Sequence, residues 1–422
     1  MIKLIKHFFK KNTGETSGHL FKTFFVYGFI ALTIIIVKIL IARFYGQEEL
    51  GIFTFFFSLV SLIFLFTSFG LPEALTQTII KVPEKLYNSL KKVILLIIPS
   101  TIFFILLTLI VITYTPLNPG IKHFNFAFVL FIIAYTFHFI TYSILRGYKR
   151  FVSASSYSLI NRIFWIIFII ILFFLSSPFV FFLFSMALAL IIAGIISLPQ
   201  IKKLVTQEQT NVNLKKFFNL AFALFLMQVG FYSLRFLSEI IIAYLVNFNT
   251  LGLYSAYSSI TNIIRMVAYV FPVVVLPMAV VNRYKLKRSL KKILVILLPF
   301  SALVLTLTYF FVPLFYGNEY QHLWLPPFLI LSSTLLVVYS YLNAVFIGEN
   351  QFSGQYLHII SLDFILSLII NSILNIYLIL KIGIIGAPIA TSITIIFKII
   401  LNYYGIKRLR FKNKNARTTE NN

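Results

Sequence analysis

The residues with the most chemistry to do lie inside runs that otherwise carry almost none. Phe217 to Ala279 forms two apolar segments joined at Asn247-Phe248-Asn249-Thr250, with Arg235 and Glu239 near the middle of the first and Arg265 near the middle of the second. A guanidinium is permanently charged and grips carboxylates or phosphates with paired hydrogen bonds. A carboxylate at such depth can hold an arginine, a proton or a sodium ion. Arg235 and Glu239 are four apart and share one helix face. Ser255, Ser258, Ser259, Asn262 and Arg265 also recur at helical spacing, which draws one polar stripe away from lipid. The alternative is that these groups pair with each other and only lock helices together.

Each segment is long enough to cross a bilayer, which takes about 20 mostly apolar residues. An arginine placed there costs roughly 2.5–3.5 kcal/mol on insertion scales, so it should face protein or a wet cavity. The same reasoning selects Lys38, Glu73, Arg162 with Asn161, His138, Asp363, and Asn371 with Asn375. Pro72 should break or bend its helix beside Glu73 and release backbone carbonyls. Arg162 and Asp363 are candidates for a pair across the chain. Arg43 and Arg146 lie at helix ends, where snorkelling to headgroups is expected. Tyr232, Tyr254 and Tyr257 lie beside the stripe and could stack on sugar faces.

The whole chain follows this pattern. It has 422 residues, 60% of them hydrophobic, and a mean hydropathy of +0.96, which excludes a soluble domain. Its 36 Lys and Arg against 11 Asp and Glu fall in short clusters between apolar runs, so they mark topology and contact anionic lipids rather than nucleic acid. There is no cysteine and so no disulfide or thiolate site. Twelve spanning helices are expected, near 22–44, 51–80, 90–114, 123–146, 152–176, 178–200, 217–246, 251–281, 290–316, 323–347, 355–380 and 384–405. Lysines and arginines concentrate in alternate connections, among them Lys81 to Lys92, Arg146 to Arg150, Lys202 to Lys216 and Arg283 to Lys292. That bias sets these loops and both termini in the cytoplasm. Residues 1–21 are basic and suited to lying on the membrane surface; the first apolar run is too long for a signal peptide.

The chain also repeats itself. Ser89-Leu90-Lys91-Lys92 returns as Ser289-Leu290-Lys291-Lys292, Pro99 as Pro299, Gly51-Ile52-Phe53-Thr54 as Gly252-Leu253-Tyr254-Ser255, and Gly147 as Gly348. The common order points to two six-helix bundles of parallel topology, related by a pseudo-twofold axis along the membrane normal. The expected organisation is a bundle over 22–203, a cytoplasmic linker over 204–216, a second bundle over 217–408, and a disordered tail over 409–422. At an offset of 201, Glu239 falls opposite Lys38, Arg265 opposite Phe64 and Asp363 opposite Arg162, so a shared skeleton would present different charges. No Walker loop, paired-histidine helix motif or nucleophile elbow is present, and no enzyme activity or cofactor is expected.

Four stretches resemble a known family. They are Phe69-Gly70-Leu71-Pro72-Glu73-Ala74, Leu251-Gly252-Leu253-Tyr254-Ser255-Ala256-Tyr257, Asn343 to Gly348, and Asn375 with Gly383-Ile384-Ile385-Gly386-Ala387-Pro388-Ile389-Ala390-Thr391. Their order resembles the lipid-linked oligosaccharide flippases, the O-antigen and polysaccharide branch of the multidrug/oligosaccharidyl-lipid/polysaccharide exporter superfamily. The resemblance implies a central cavity opening alternately to each side of a bacterial inner membrane, and an undecaprenyl-diphosphate-linked oligosaccharide as substrate. Polysaccharide polymerase and chain-length proteins would be the partners. A typical member has Asp where this chain places Glu239. On this reading Arg235, Arg265, Arg162, Lys38, Asn262 and Ser259 form a cationic cavity, and Glu239, Asp363 or Glu73 carries a coupling proton or sodium ion. The competing readings are a multidrug antiporter of the same superfamily, whose cavity should be acidic, the lipid II flippase branch, which usually has two more helices, and a membrane glycan polymerase or ligase, which usually has a large outer loop.

Overall fold

A computed structural model describes the backbone of residues 14–81, 86–148, 151–204, 214–281, 286–350 and 355–420. The side chains of the basic N-terminus, the linker residues 205–213, several loop lysines and arginines and the side chain of Asp363 lie outside the described residues. The helices are α1 (Gly14–Phe44), α2 (Gln47–Ser68), α3 (Leu71–Lys81), α4 (Leu86–Tyr114), α5 (Phe124–Gly147), α6 (Phe151–Phe174) and α7 (Val180–Leu204), followed by α8 (Leu214–Leu245), α9 (Phe248–Val281), α10 (Leu286–Phe315), α11 (Leu325–Asn350), α12 (Gln355–Ile382) and α13 (Gly386–Glu420). Every expected span is present. The second is divided: Phe69 and Gly70 take left-handed backbone angles (φ 48° and 69°), and Pro72 then occupies the first turn of α3, where its missing N–H is no loss. The tail expected to be disordered instead continues α13 to Glu420. No proline interrupts it, and extending an existing helix is far easier than starting one.

Among the described residues nine segments are long and apolar enough to cross a membrane. Their burial sorts them. The α2 window is 78% buried, whereas those of α4, α6 and α10 are 28%, 22% and 22% buried. The last three therefore turn most of their apolar surface outward, as lipid-facing helices must.

The chain forms two compact units, Met1–Val37 with Leu59–Gln228, and Lys38–Ser58 with Val229–Asn422. In the first, α5 packs on α7 and α3, and α7 on α6. In the second, α11 packs on α13 and α9, and α13 on α12. These are the same helix pairs one repeat later. The second unit also takes in the end of α1 and the start of α2.

That hairpin is held by a reciprocal crossing. A Cβ at Gly51 would strike the Phe248 carbonyl, and one at Gly252 would strike the Gln47 carbonyl. Adding 201 turns Gly51 into Gly252 and Gln47 into Phe248, so the two contacts are one contact made in both directions, the pattern of a two-fold axis. The repeat mates Thr54 and Ser255 meet each other, hydroxyl to hydroxyl at 2.6 Å, so a local axis passes between them. Arg43, expected to snorkel, instead donates through Nε to the Phe315 carbonyl at 2.7 Å and through its terminal nitrogen to that of Leu314, capping the C-terminus of α10. Gly51→Ala and Gly252→Ala should each wedge two backbones apart, lowering the melting midpoint of the purified protein by the equivalent of about 1–3 kcal/mol. Unchanged midpoints for both would contradict the crossing.

Candidate functional site

The charged cluster lies next to this crossing, within the second unit. α8 presents Phe231, Leu234, Arg235, Ser238 and Glu239 at i, i+3, i+4, i+7 and i+8, a single face. α9 supplies its polar stripe: Ser255, Ser258 and Ser259 are buried at 0%, 1% and 2% exposure. Lys38, Glu239 and Arg265 are each 7% exposed, too deep to be solvated at the surface. They are compensated instead. Lys38 lies in the field of the Glu239 carboxylate, with Arg235 and Arg265 as neighbouring cations. Ser58 donates its hydroxyl to the Glu239 carboxylate. Arg265 donates through Nε to Ser333 Oγ at 3.0 Å, while Ser333 donates to the Leu329 carbonyl at 2.8 Å. Tyr254 hydrogen-bonds Arg265 and lies in the field of Glu239. The Arg235 guanidinium lies 4.8 Å from the centroid of the Phe236 ring.

Arg235 and Arg265 line one pocket with the hydroxyl-bearing Ser332 and Thr391, between the apolar side chains Phe231, Leu234, Leu336 and Ile395. Among the described residues the lining thus carries two guanidiniums and no carboxylate. Convergent donors and cations in a low-dielectric setting suit an anion, most of all one with several acceptor oxygens.

The structure gathers Lys38, Arg235, Glu239 and Arg265. Of the other expected residues, Asp363 lies outside the described side chains, and Arg162 and Glu73 belong to the first unit. Arg162 belongs to the first unit, its guanidinium 5.2 Å from the Trp165 ring centroid, with His138 in its field and His138 stacked on Tyr157 at 4.6 Å. Glu73 is also in the first unit, hydrogen-bonded by the Gln228 side chain, with Arg146 as the charge acting on it. Ser259 spends its hydroxyl on the Ser255 carbonyl at 2.6 Å, and neither it nor Asn262 lines the pocket. Tyr254 and Tyr257 are 3% and 1% exposed; Tyr257 accepts the His322 backbone N–H at 2.8 Å. Both have too little open ring face to stack on a sugar.

Sequence reasoning missed Lys398. It is fully buried in α13, its ammonium 3.9 Å from the Phe364 ring centroid and 5.3 Å from that of Tyr339, a double cation–π arrangement. The signal was present, since Lys398 stands alone in an apolar run from Ile395 to Leu401. Ser58, Ser333 and Thr391 were also missed. Single hydroxyls in spanning helices usually bond their own backbone, so nothing in the sequence separates these from the rest.

Residues 20–282 match the polysaccharide biosynthesis protein family. The chain belongs to that family. No curated protein matches the sequence. The fold is similar to that of an inward-facing multidrug resistance MATE family transporter of the MOP superfamily, with a TM-score of 0.61 at 16% identity over 91% of this chain and 95% of that one. It is similar too to the MATE multidrug transporter DinF-BH, solved as a complex, with a TM-score of 0.61 at 15% identity over 92% and 94% of the two chains. The described residues are all-helical, as in these structural neighbours, and the long apolar helices are those of a multi-pass membrane protein.

Ser333→Ala should strand the buried Arg265 Nε donor and lower the melting midpoint by the equivalent of about 1–3 kcal/mol. Ser333→Thr keeps the hydroxyl and should melt near the native midpoint. Equal midpoints for alanine and native protein would show that this bond does not anchor Arg265.

Proposed function

We propose that this protein is a flippase for lipid-linked oligosaccharides. It carries undecaprenyl-diphosphate-linked units from the cytoplasmic to the outer leaflet of a bacterial inner membrane by alternating access, for surface polysaccharide synthesis. Both termini are cytoplasmic in this reading, and polysaccharide polymerase and chain-length proteins act on the product. The observation that carries it is the pocket shared by Arg235 and Arg265. A diphosphate bears negative charge and cannot cross hydrocarbon alone, and two guanidiniums flanked by hydroxyls provide what it loses on leaving water. Family membership supplies the link to polysaccharide synthesis. Turnover is coupled to a proton or sodium ion held by an acidic residue, with Glu239, Asp363 and Glu73 as the candidates.

The rival is multidrug export, the role that the names of the structural neighbours give to those proteins. A drug that is an organic cation would meet Arg235 and Arg265 as like charges, a penalty that specificity against cations requires.

Farnesyl diphosphate serves as a soluble probe of the anion site. It should raise the melting midpoint of the purified protein, and Arg235→Ala or Arg265→Ala should weaken that binding about 30-fold or more. Arg265→Lys, which keeps charge but loses the planar fork, should fall between native and alanine. Stabilisation by a cationic dye but not by the diphosphate would favour the antiporter.

A further inference from the structure

One further cation lies a layer behind the pocket wall. Ile395 of α13 and Leu336 of α11 line the pocket. Lys398 follows Ile395 by three residues and Tyr339 follows Leu336 by three, so each continues the pocket-lining face of its own helix. A helical side chain leans toward the N-terminus of its helix and covers the preceding turn. Lys398 and Tyr339 therefore lean back over the wall residues Ile395 and Leu336. On α8, Phe231 lines the pocket, and at its neighbour Gly230 an added Cβ would strike the Phe364 ring. The Lys398 ammonium sits on that same ring, 3.9 Å from its centroid and 5.3 Å from that of Tyr339. The parts of α8, α11 and α13 that line the pocket thus also enclose the ammonium, and all of them belong to the second unit.

Lys398 is fully buried. Charge at that depth is costly, and a methionine would fill the same space with no charge to bury. Two ring faces offset part of that cost. We propose that Lys398 is a third cation of the anion site, parked on its aromatic rings until a diphosphate arrives. A monophosphate offers one phosphoryl group, which Arg235 and Arg265 hold between them. A diphosphate brings a second group and more negative charge. That charge draws the ammonium off Phe364 and Tyr339, past Ile395, onto the second phosphoryl group. The flexible stem and rotatable donors of lysine suit such a move, where arginine would carry a rigid plane. Lys398 is thereby the residue that tells a diphosphate from a monophosphate. On the orientation proposed above it lies on the cytoplasmic side of the pocket, from which a lipid-linked diphosphate enters. The proposal rests on the flippase reading and adds to it the residue that sets headgroup choice.

Calorimetric titration of the purified full-length protein with farnesyl diphosphate and with farnesyl monophosphate reads this choice. The native protein should bind the diphosphate about tenfold or more tighter than the monophosphate. Lys398→Met leaves no charge to bury and so should fold. It should bring the two affinities within about threefold of each other, through loss of diphosphate binding. Phe364→Leu removes the nearer ring and with it part of the hold on the ammonium, so the diphosphate should bind about threefold tighter than to the native protein. Tyr339→Leu should act in the same direction and carries the test if Phe364→Leu does not fold. Neither gain should survive when Lys398→Met is added. A native preference for diphosphate in Lys398→Met, or a gain from Phe364→Leu that persists in the double variant, would overturn the proposal and leave Lys398 a tie between helices. If Arg235→Ala and Arg265→Ala still weaken the diphosphate in that case, the flippase reading stands without Lys398. A native protein that binds neither probe would refute the flippase site and the role of Lys398 together.

Discussion

Four charges sit within a few helix turns of one another in segments that cross hydrocarbon, and the second unit is built around making that tolerable. A lone buried ion would cost several kcal/mol even after relaxation. Lys38 is set against Glu239, Glu239 takes the Ser58 hydroxyl, and Arg265 is held by Ser333 and Tyr254. These partners come from α1, α2, α8, α9 and α11. The polar cluster therefore ties together helices whose apolar surfaces alone would specify no particular register, because lipid and neighbouring helices are equally apolar.

The symmetry of the skeleton and the asymmetry of the charge serve different ends. Gly51 and Gly252 allow two backbones to touch by the same contact in both directions, which fixes the hairpin in place. The charges at matching positions differ, so the surface presented along the axis is not symmetric. Lys38 offsets Glu239, while the residues that line the pocket with Arg235 and Arg265 are hydroxyl-bearing or apolar. A symmetric frame with an unbalanced, cationic lining is what an anionic headgroup needs: fixed positive charge.

Much of this was legible in the sequence because the bilayer imposes its own rule. Hydropathy alone located each span, although the first helix begins eight residues earlier than expected and the last runs on to Glu420, and Pro72 marked the segment where α2 gives way to α3. The polar stripe from Ser255 to Arg265 and the shared face of Arg235 and Glu239 followed from helical spacing. The offset of 201 became firm only when Gly51, Thr54 and their mates were seen to meet. Other features were out of reach. Whether Arg162 joins Arg265 depends on which unit its helix packs into, and periodicity is silent on that. Arg43 at a helix end reads as a headgroup anchor until α10 is seen to finish beside it. Lys398 was overlooked although its isolation in α13 is as plain as that of Lys38 in α1.

The most direct test of the anion-transport account is the membrane face on which complete lipid-linked glycans are found when the gene is deleted. The account expects undecaprenyl-linked units to accumulate on the cytoplasmic face, and to clear when the native gene is returned but not when a variant lacking both Arg235 and Arg265 is expressed to the same level. Normal surface glycan in the deletion strain, together with new sensitivity to cationic dyes, would contradict it.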